Sequence, residues 1–236
     1  MPMQAEERSK RFVSSIYQHV LGSDFKRLHP KIQERFGFNS TDRVACIGRG
    51  VMDEIWHGRL YTLPFLYVGS WRNVMFPERA RQVPFSIENY AFLDPLGRET
   101  VTWIRRFATR TPRRFDAYMI YSKERGCIVD YLGTHQHLAV DIDLSVDAMG
   151  GLTLRSGSQR FYEGILGFSF PLLFSGTANV CESYDERIQK YRIDVNVSNT
   201  VWGPLFGYKG IFEAEWKSDV SDPPEDIKPM RFERRE

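Results

Sequence analysis

The chain has 236 residues, 42% of them hydrophobic and 26% charged, which fits a folded globular protein and excludes wholesale disorder. Its 32 basic and 30 acidic residues leave a net charge of +2, which gives no reason to expect a nucleic-acid partner. The length allows one large all-β domain or two small domains. Because no repeat and no linker divides the sequence, we expect a single domain over residues 1–236.

The cysteines and the N-terminus indicate the compartment. The three cysteines, Cys46, Cys127 and Cys181, are far apart and odd in number, which makes a poor disulfide framework and favours a reducing environment. The N-terminus lacks the apolar run of a signal peptide, and no stretch approaches the ~20 apolar residues that span a membrane. We therefore expect a cytoplasmic protein without a transmembrane segment.

Residues 1–40 are predicted to form a helical N-terminal segment. Apolar side chains recur there at helical spacing in two adjacent rows: Phe12, Ile16 and Val20, and Val13, Tyr17 and Leu21. Gly22 is a candidate C-cap for this helix. Pro30 suits the first position of a second short helix, which Gly37 would end.

Residues 42–216 are predicted to form an antiparallel β body. Short strands of alternating apolar and polar residues flank turn sequences such as DPLG (94–97), KERG (123–126), DAMGG (147–151) and ERIQK (186–190). This succession indicates about ten strands in one long meander. A long meander must hide its edges, so we expect a mainly β fold with N-terminal helices (α+β), in which the sheet is strongly curved or closed into a barrel.

Other segments interrupt or follow this pattern. The apolar, aromatic stretch at 60–77 is predicted to be a helical or irregular cover. Its first part, 60–71, the stretch 165–176 and the loop 201–210 are candidates for core plugs or for the mouth of an apolar pocket. The basic run from Arg105 to Arg114 is interpreted as a solvated hairpin end rather than a contact for phosphate or anionic lipid. The charged, Pro-rich stretch 217–236 is expected to be a flexible tail.

The sequence YLGTHQHLAVDIDLSV at 131–146 holds most of the candidate polar groups. Interpreted as one strand, it places the apolar side chains of Leu138, Val140, Ile142, Leu144 and Val146 on one face. The other face then carries His135, His137, Asp141 and Asp143. The apolar face predicts contact with the core, and the polar face is interpreted as solvated or as contacting a ligand.

The third interpretation of this strand is a metal-binding site. His135 and His137 start roughly 7 Å apart at the rise of a strand, so both can reach one ion, whereas Asp141 starts about 13 Å from His137 and is too distant. A further ligand would have to come from a neighbouring strand, with His57, Glu163, Cys127 and Cys181 as candidates. None of these has diagnostic spacing, and no metal is predicted.

The segment LRSGSQRFYEG at 154–164 places large polar groups on both strand faces. At least one of Arg155, Arg160 and Glu163 should therefore be buried and paired, or line a pocket. The ligand-contacting candidates of the chain are His135, His137, Arg160, Tyr162, Glu163 and Trp202.

Several motifs follow one another in a recognisable order: SIYQHVLGSDFKRLHP, GRGVMDEIW, VPFSIENY with ETVTWIRRF, RSGSQRFYEGILGFSFP and VWGPLFGYKGIFEAEW. From Ser14 to Trp216 the chain resembles a bacterial family, the one numbered 4166 among the domains of unknown function. Members of that family occur alone or fused behind NAD(P)-dependent reductase domains of short-chain or saccharopine type. The resemblance implies an accessory role near small-molecule metabolism, and it supplies no catalytic residues.

Three functions follow in order of preference. The first is a non-catalytic module without a cofactor, which binds an apolar or lipid-like small molecule between aromatic walls with an Arg or His at its polar head. The second is an interaction partner of a separately encoded reductase, which predicts an exposed aromatic patch in 60–77 or 199–208. The third is an enzyme in which His135 or His137 acts as general base with Glu163 or Asp141, while Arg160 stabilises an anionic intermediate.

Overall fold

The computed structural model describes residues 14–170 and 176–236, and antiparallel strands dominate both ranges. The strands are β1 (Ala45–His57), β2 (Ala80–Leu93), β3 (Glu99–Phe107), β4 (Arg113–Ser122), β5 (Cys127–Leu132), β6 (Leu138–Val146), β7 (Leu152–Glu163), β8 (Leu166–Phe170), β9 (Thr177–Asp185), β10 (Lys190–Asn199) and β11 (Gly203–Lys217). The helices are α1 (Ile16–Leu21), α2 (Pro30–Phe36) and α3 (Leu63–Trp71).

Ten of the strands close into a barrel. The hydrogen-bonded order is β6-β5-β4-β3-β2-β1-β11-β10-β9-β7, and β7 pairs back with β6 to complete the ring. The eleventh strand, β8, forms a hairpin with β7. The predicted mainly β fold with about ten strands is therefore confirmed, and the choice between a curved sheet and a barrel is settled in favour of the barrel. Strand β8 lies in the stretch 165–176, where no strand was predicted.

Side-chain alternation separates the barrel interior from its outer face. In β10, for example, Tyr191, Ile193, Val195 and Val197 are buried, whereas Arg192, Asp194 and Asn196 are exposed. In β6, Val140 and Ile142 belong to the same interior core cluster. The apolar face predicted for this strand thus packs inward as expected.

The N-terminal helices close one end of the barrel, called here the plugged end. Helix α1 begins with a capping box, in which the backbone N–H of Gln18 donates to Ser15 Oγ and the backbone N–H of Ser15 donates to Gln18 Oε1. Ser15 Oγ also donates to the carbonyl of Phe36 at 2.7 Å. The backbone N–H of His29 donates to the carbonyl of Gly150 in the β6–β7 turn at 2.9 Å. Of the two predicted helical rows, Phe12 and Val13 lie outside the described residues.

The opposite end, called here the open end, carries α3 and the loops after β5, β7 and β10. Backbone hydrogen bonds tie the segment around α3 across this end, from Gly58 N–H to the Leu205 carbonyl and from Thr134 N–H to the Arg72 carbonyl. Phe76, which follows α3, is buried against Phe107 and Phe206. The helical or irregular cover predicted for 60–77 therefore lies across the open end.

The residues after β11 pack on the outside of the barrel. Ile227 is buried in a second apolar cluster with Tyr118 and Tyr131, and the hydroxyl of Tyr118 donates to the Ile227 carbonyl at 3.0 Å. Arg231 Nε donates to the carbonyl of His135 at 2.6 Å. A flexible tail was predicted for this segment because it is charged and rich in proline. Those two features of the sequence carry no information about the contacts that Ile227 and Arg231 make with the barrel.

Across the two described ranges, the helices are all too short, or too polar, to cross a membrane.

Candidate functional site

The barrel encloses a cavity of about 110 Å³ that extends toward the open end. Its wall is mainly apolar, and β6, β7, β9 and β10 supply most of the aliphatic side chains: Leu138, Val140, Ile142, Leu154, Val180, Val195 and Val197. Trp103, Phe115 and Met119 complete this wall, while Val74 and Met75, just after α3, line it beside Leu205. Such a volume suits a small apolar body, since an engineered cavity of about 150 Å³ holds benzene.

Arg105 on β3 places a buried cation at this apolar wall. Its side chain is only 4% exposed, and its guanidinium lies 3.8 Å from the centre of the Phe115 ring. Nε donates to the Phe115 carbonyl at 3.3 Å and Nη1 to the Tyr208 hydroxyl at 3.1 Å, while Nη2 donates to none of the described residues. No carboxylate of the described chain lies within 4.0 Å of the guanidinium. Two of the five N–H donors of the guanidinium are used in these bonds, and the two on Nη2 are available to an anionic ligand.

Asp130 on β5 is the carboxyl group of the same cavity. It is 5% exposed, and its Oδ1 has no hydrogen-bond partner among the described residues. Burial raises the pKa of Asp130 to about 7, although the positive charge of Arg105 and a backbone hydrogen bond partly oppose the rise. Near neutral pH the cavity can therefore hold either a neutral acid or a carboxylate beside the guanidinium.

Strand alternation explains why these two charged residues point inward. Val101, Trp103, Arg105 and Phe107 share one face of β3, and Ile128, Asp130 and Leu132 share one face of β5. A polar residue in an otherwise apolar row was the available signal at both positions, and neither Arg105 nor Asp130 was predicted to contact a ligand. The interpretation of the whole Arg105–Arg114 run as a solvated hairpin end was wrong for Arg105. The neighbouring Arg106 faces outward and pairs with Glu88 and Asp226.

The two candidate histidines lie outside the barrel. Strand β6 begins at Leu138, so the prediction that places His135 and His137 on this strand is wrong; they belong to the β5–β6 turn, where Gly133 and Gln136 have φ of 77° and 53°. Their rings stack with centroids 5.4 Å apart. His137 Nδ1 lies 3.0 Å from Glu163 Oε2, and Arg231 Nη2 is 3.1 Å from the same nitrogen.

Burial lowers the pKa of His135, and the nearby charges of Arg72, His137 and Arg231 act in the same direction. Arg231 completes this outer cluster from the C-terminal segment, at a sequence distance that no local pattern reveals. Burial and these basic neighbours therefore disfavour the protonated form of His135, and the nearby Glu163 opposes them only in part.

Arg160 is buried and paired, as the sequence analysis required of one residue in its segment. Its Nη2 donates to Asp141 Oδ1 at 2.7 Å, and Arg125 donates to both oxygens of the same carboxylate at 2.9 and 2.8 Å. Burial alone would raise the pKa of Asp141, but the hydrogen bonds from these two arginines outweigh it and the pKa lies below its usual value. Arg160 thus belongs to an ion-pair network on the outer face.

The other two candidates also lie away from the cavity wall. Tyr162 is buried in the outer cluster beneath the C-terminal segment, with the Arg235 guanidinium 4.4 Å from its ring centre. Trp202 is half exposed at the open end, and its ring lies 5.5 Å from that of Tyr61. The structure therefore brings His135, His137 and Glu163 together beside the backbone of Tyr162, whose N–H donates to the His137 carbonyl at 2.8 Å. It places the side chains of Arg160, Tyr162 and Trp202 in other surroundings.

The polar clusters do not form a metal-binding arrangement. Over residues 14–170 and 176–236, no group of three or more His, Cys, Asp or Glu side chains could hold an ion. His137 and Glu163 are two of the residues considered for such a site, and Cys46, Cys127 and Cys181 are all free thiols.

Comparison with known proteins gives a family and a relative. The model of a family described as a domain of unknown function, DUF4166, matches residues 28–212. The chain is also 34% identical over 206 residues to the uncharacterized protein YndH of Bacillus subtilis (strain 168), and the match covers 86% of this chain and 98% of that protein. The family match spans the barrel strands from β1 to most of β11, including both buried charges of the cavity.

Proposed function

The chain belongs to the DUF4166 family of domains of unknown function, whose description assigns no activity, and we propose from the barrel interior that it binds a small amphipathic molecule with an anionic head group. In this proposal the apolar body occupies the cavity and the head group accepts hydrogen bonds from Arg105. A barrel that holds one small ligand inside is an established use of this architecture. The role is that of a binding module, and no cofactor enters it.

One observation carries the proposal, which is the buried guanidinium of Arg105 at an apolar cavity wall. A buried cation is costly unless it is paired, and Arg105 has no carboxylate partner among the described residues within 4.0 Å. A carboxylate or similar anion of the ligand would supply the missing charge and accept from Nη2. Charged hydrogen bonds of this kind are the strong ones, each contributing about 1.5–3 kcal/mol.

The cavity volume restricts the size of the ligand. About 110 Å³ accommodates a body of roughly four to six non-hydrogen atoms, judged from the six of benzene in a larger cavity of about 150 Å³. A short branched, cyclic or aromatic carboxylic acid meets both requirements. A long-chain lipid would need the segment at Val74 and Met75 to move outward.

The first prediction tests this head-group recognition. We expect the purified protein to bind a short apolar carboxylate at least tenfold more tightly than the primary alcohol of the same carbon skeleton, because only the carboxylate pairs with Arg105. Isothermal titration calorimetry with such acid–alcohol pairs measures the ratio. Equal affinity for acid and alcohol across the series, or no binding of either, would contradict the proposal.

A pair of neighbouring variants isolates Arg105 itself. Arg105→Met keeps an unbranched apolar side chain in the cavity but removes the charge, and we expect carboxylate affinity to fall roughly tenfold to a hundredfold. Arg106→Met is the matched control, because Arg106 is the next residue on the same strand and points outward to Glu88. Its affinity should stay within about twofold of the unmodified protein.

The two other functions have weaker support. For acid–base catalysis, His137 and Glu163 approach each other, but they lie on the outer surface and Arg160 is held by Asp141 rather than beside them. For an interaction partner, the exposed aromatic side chains expected in 60–77 and 199–208 are present. One protein can bind a small molecule in its cavity and contact a partner through an exposed aromatic surface, so this patch is compatible with the proposed function.

A further inference from the structure

An apolar surface covers part of the open end and is called here the apolar rim. It consists of the exposed side chains on α3 and in the segments just before it and after β10: Leu60, Tyr61, Phe65, Tyr67, Val68, Trp71, Val201 and Trp202. Trp71 is 81% exposed and Phe65 75%, values unusual for such large apolar side chains. Large contiguous apolar surface of this kind marks an interaction site.

Helix α3 is apolar on all sides, yet it buries little of itself in the barrel. Among the residues of Leu63–Trp71, only Leu66 is buried. A helix that is apolar all round belongs in an apolar medium that surrounds it, whereas a protein groove usually covers one face of an amphipathic helix. The distribution of apolar residues on α3 therefore favours a lipid environment.

The charged residues within the segments that form the apolar rim are all basic. From Gly58 to Pro77 the only charged residues are Arg59 and Arg72, and the stretch 199–208 has no charged residue. Both arginines are exposed, and neither forms an ion pair with any part of the chain that the structure describes. Aromatic side chains at headgroup depth with adjacent basic residues are the features that bind anionic membrane surfaces.

We propose that the apolar rim docks on the surface of a membrane containing anionic lipids. Phe65, Trp71 and Trp202 enter the interface between headgroups and acyl chains, and Arg59 and Arg72 face lipid phosphates. Val74 and Met75, which follow α3, line the cavity, so docking brings the cavity close to the lipid. The docking does not depend on cavity binding, and the two proposals are tested on different variants.

Vesicle co-sedimentation of the full chain tests the docking. We expect the protein to sediment with vesicles of phosphatidylcholine containing phosphatidylglycerol and to remain largely in solution with phosphatidylcholine alone. The double variant Phe65→Ser/Trp71→Ser should lower partitioning about tenfold or more, because both side chains lose their contact with the interface. The matched control, Leu93→Ser/Met149→Ser, removes exposed apolar side chains at the plugged end and should partition like the unmodified protein.

A charge variant tests the basic component separately. Each basic residue close to an anionic membrane contributes about fivefold to partitioning, so Arg59→Gln/Arg72→Gln should lower partitioning about 25-fold. Added salt screens the same attraction and should weaken the membrane binding of the unmodified protein. This variant changes only exposed side chains, and circular dichroism of every variant confirms that the barrel is intact. Quenching of tryptophan fluorescence by brominated lipid should be strongly reduced in Phe65→Ser/Trp71→Ser, which partitions less and lacks Trp71, and it should be retained in the plugged-end control.

Three results would overturn the proposal. The protein would stay in solution with both kinds of vesicle, or the rim variant and the plugged-end control would sediment alike. Alternatively, light scattering would show a dimer that Phe65→Ser/Trp71→Ser dissociates, which would assign the apolar rim to a second copy of the chain. Failure of carboxylates to bind in the cavity would leave this result unaffected.

Discussion

Replacing Arg35 with Met should destabilise the protein by about 3–5 kcal/mol, because the substitution leaves Glu182 as an unpaired buried charge. Arg35 on α2 and Glu182 on β9 form an ion pair at the plugged end, with side chains 1% and 0% exposed. Arg35 Nη1 also donates to Cys46 Sγ at 3.0 Å, and its guanidinium lies 4.9 Å from the Phe212 ring centre. The pair therefore joins the helical plug to the interior of the barrel.

The geometry of this ion pair also predicts the stability of a double variant that lacks both charges. Arg35 Nη2 and Glu182 Oε2 are buried without hydrogen-bond partners among the described residues, so each ion retains part of its desolvation cost. Arg35→Met/Glu182→Leu removes both charges at similar volume and should recover most or all of the stability lost in the single variant. Burial raises the pKa of Glu182 despite the neighbouring Arg35, which is consistent with a costly charge.

Chemical denaturation of the unmodified protein, Arg35→Met, Glu182→Leu and the double variant measures the coupling between the two side chains. Arg27→Met serves as the control, because Arg27 pairs with Asp24 on the surface with side chains 62% and 55% exposed and should change stability by less than about 1 kcal/mol. If Arg35→Met and the double variant lost the same stability, the cost would come from packing rather than from the unpaired carboxylate.

Replacing Asp130 with Asn should flatten the dependence of stability on pH between about pH 4 and pH 7. The folded-state pKa of Asp130 is about 7, above the usual 3.8 of an aspartate carboxyl. The folded protein thus binds a proton that the unfolded chain has released over this range, and the free energy of unfolding falls as pH rises until both states are ionised. Above pH 7 this contribution is constant.

The size of the effect follows from the same shift. Between about pH 5 and pH 8, ionisation of buried Asp130 should cost the unmodified protein about 2 to 3 kcal/mol that Asp130→Asn does not lose. Urea unfolding at the two pH values measures this difference, with Asp143→Asn on the outer face of β6 as control. An unchanged pH slope in Asp130→Asn would show that this carboxyl does not titrate in the window.

The same titration bears on the proposed ligand. Below pH 7 Asp130 is neutral, so the Arg105 guanidinium meets no competing charge in the cavity, whereas above pH 7 an ionised Asp130 repels an anionic head group. We therefore expect a carboxylate ligand to bind more tightly at about pH 6 than at about pH 8. Calorimetry on Asp130→Asn should find this pH dependence reduced.

The strands of the barrel were predictable because the alternation of apolar and polar residues is a local pattern, set by residues that are close together in the sequence. The inward face of β6 and the turns DPLG and KERG follow from local patterns that tertiary contacts do not override. The histidine turn was misplaced because His135 and His137 continue the alternation of β6 by coincidence. Gly133, with φ of 77°, already interrupts the strand before them.

The candidate site was less predictable, since it depends on which strands face each other across the interior. Arg105 and Asp130 lie on β3 and β5, on either side of β4, so their approach depends on the register of two strand pairings rather than on one local pattern. The outer cluster likewise needs Arg231 from the C-terminal segment to reach the β5–β6 turn. Contacts of this length leave no periodic signal in a single sequence.

Ring closure also has a consequence for the speed of folding. Strand β1 pairs with β11, which joins Ala45 to Lys217 across most of the chain, and no hairpin can form this contact early. The conformational entropy of closing so long a loop must be lost before the pairing contributes any stability. We therefore expect refolding on a scale of milliseconds to seconds or slower, in which hairpins such as β3–β4 form first and the meeting of β1 with β11 limits the rate.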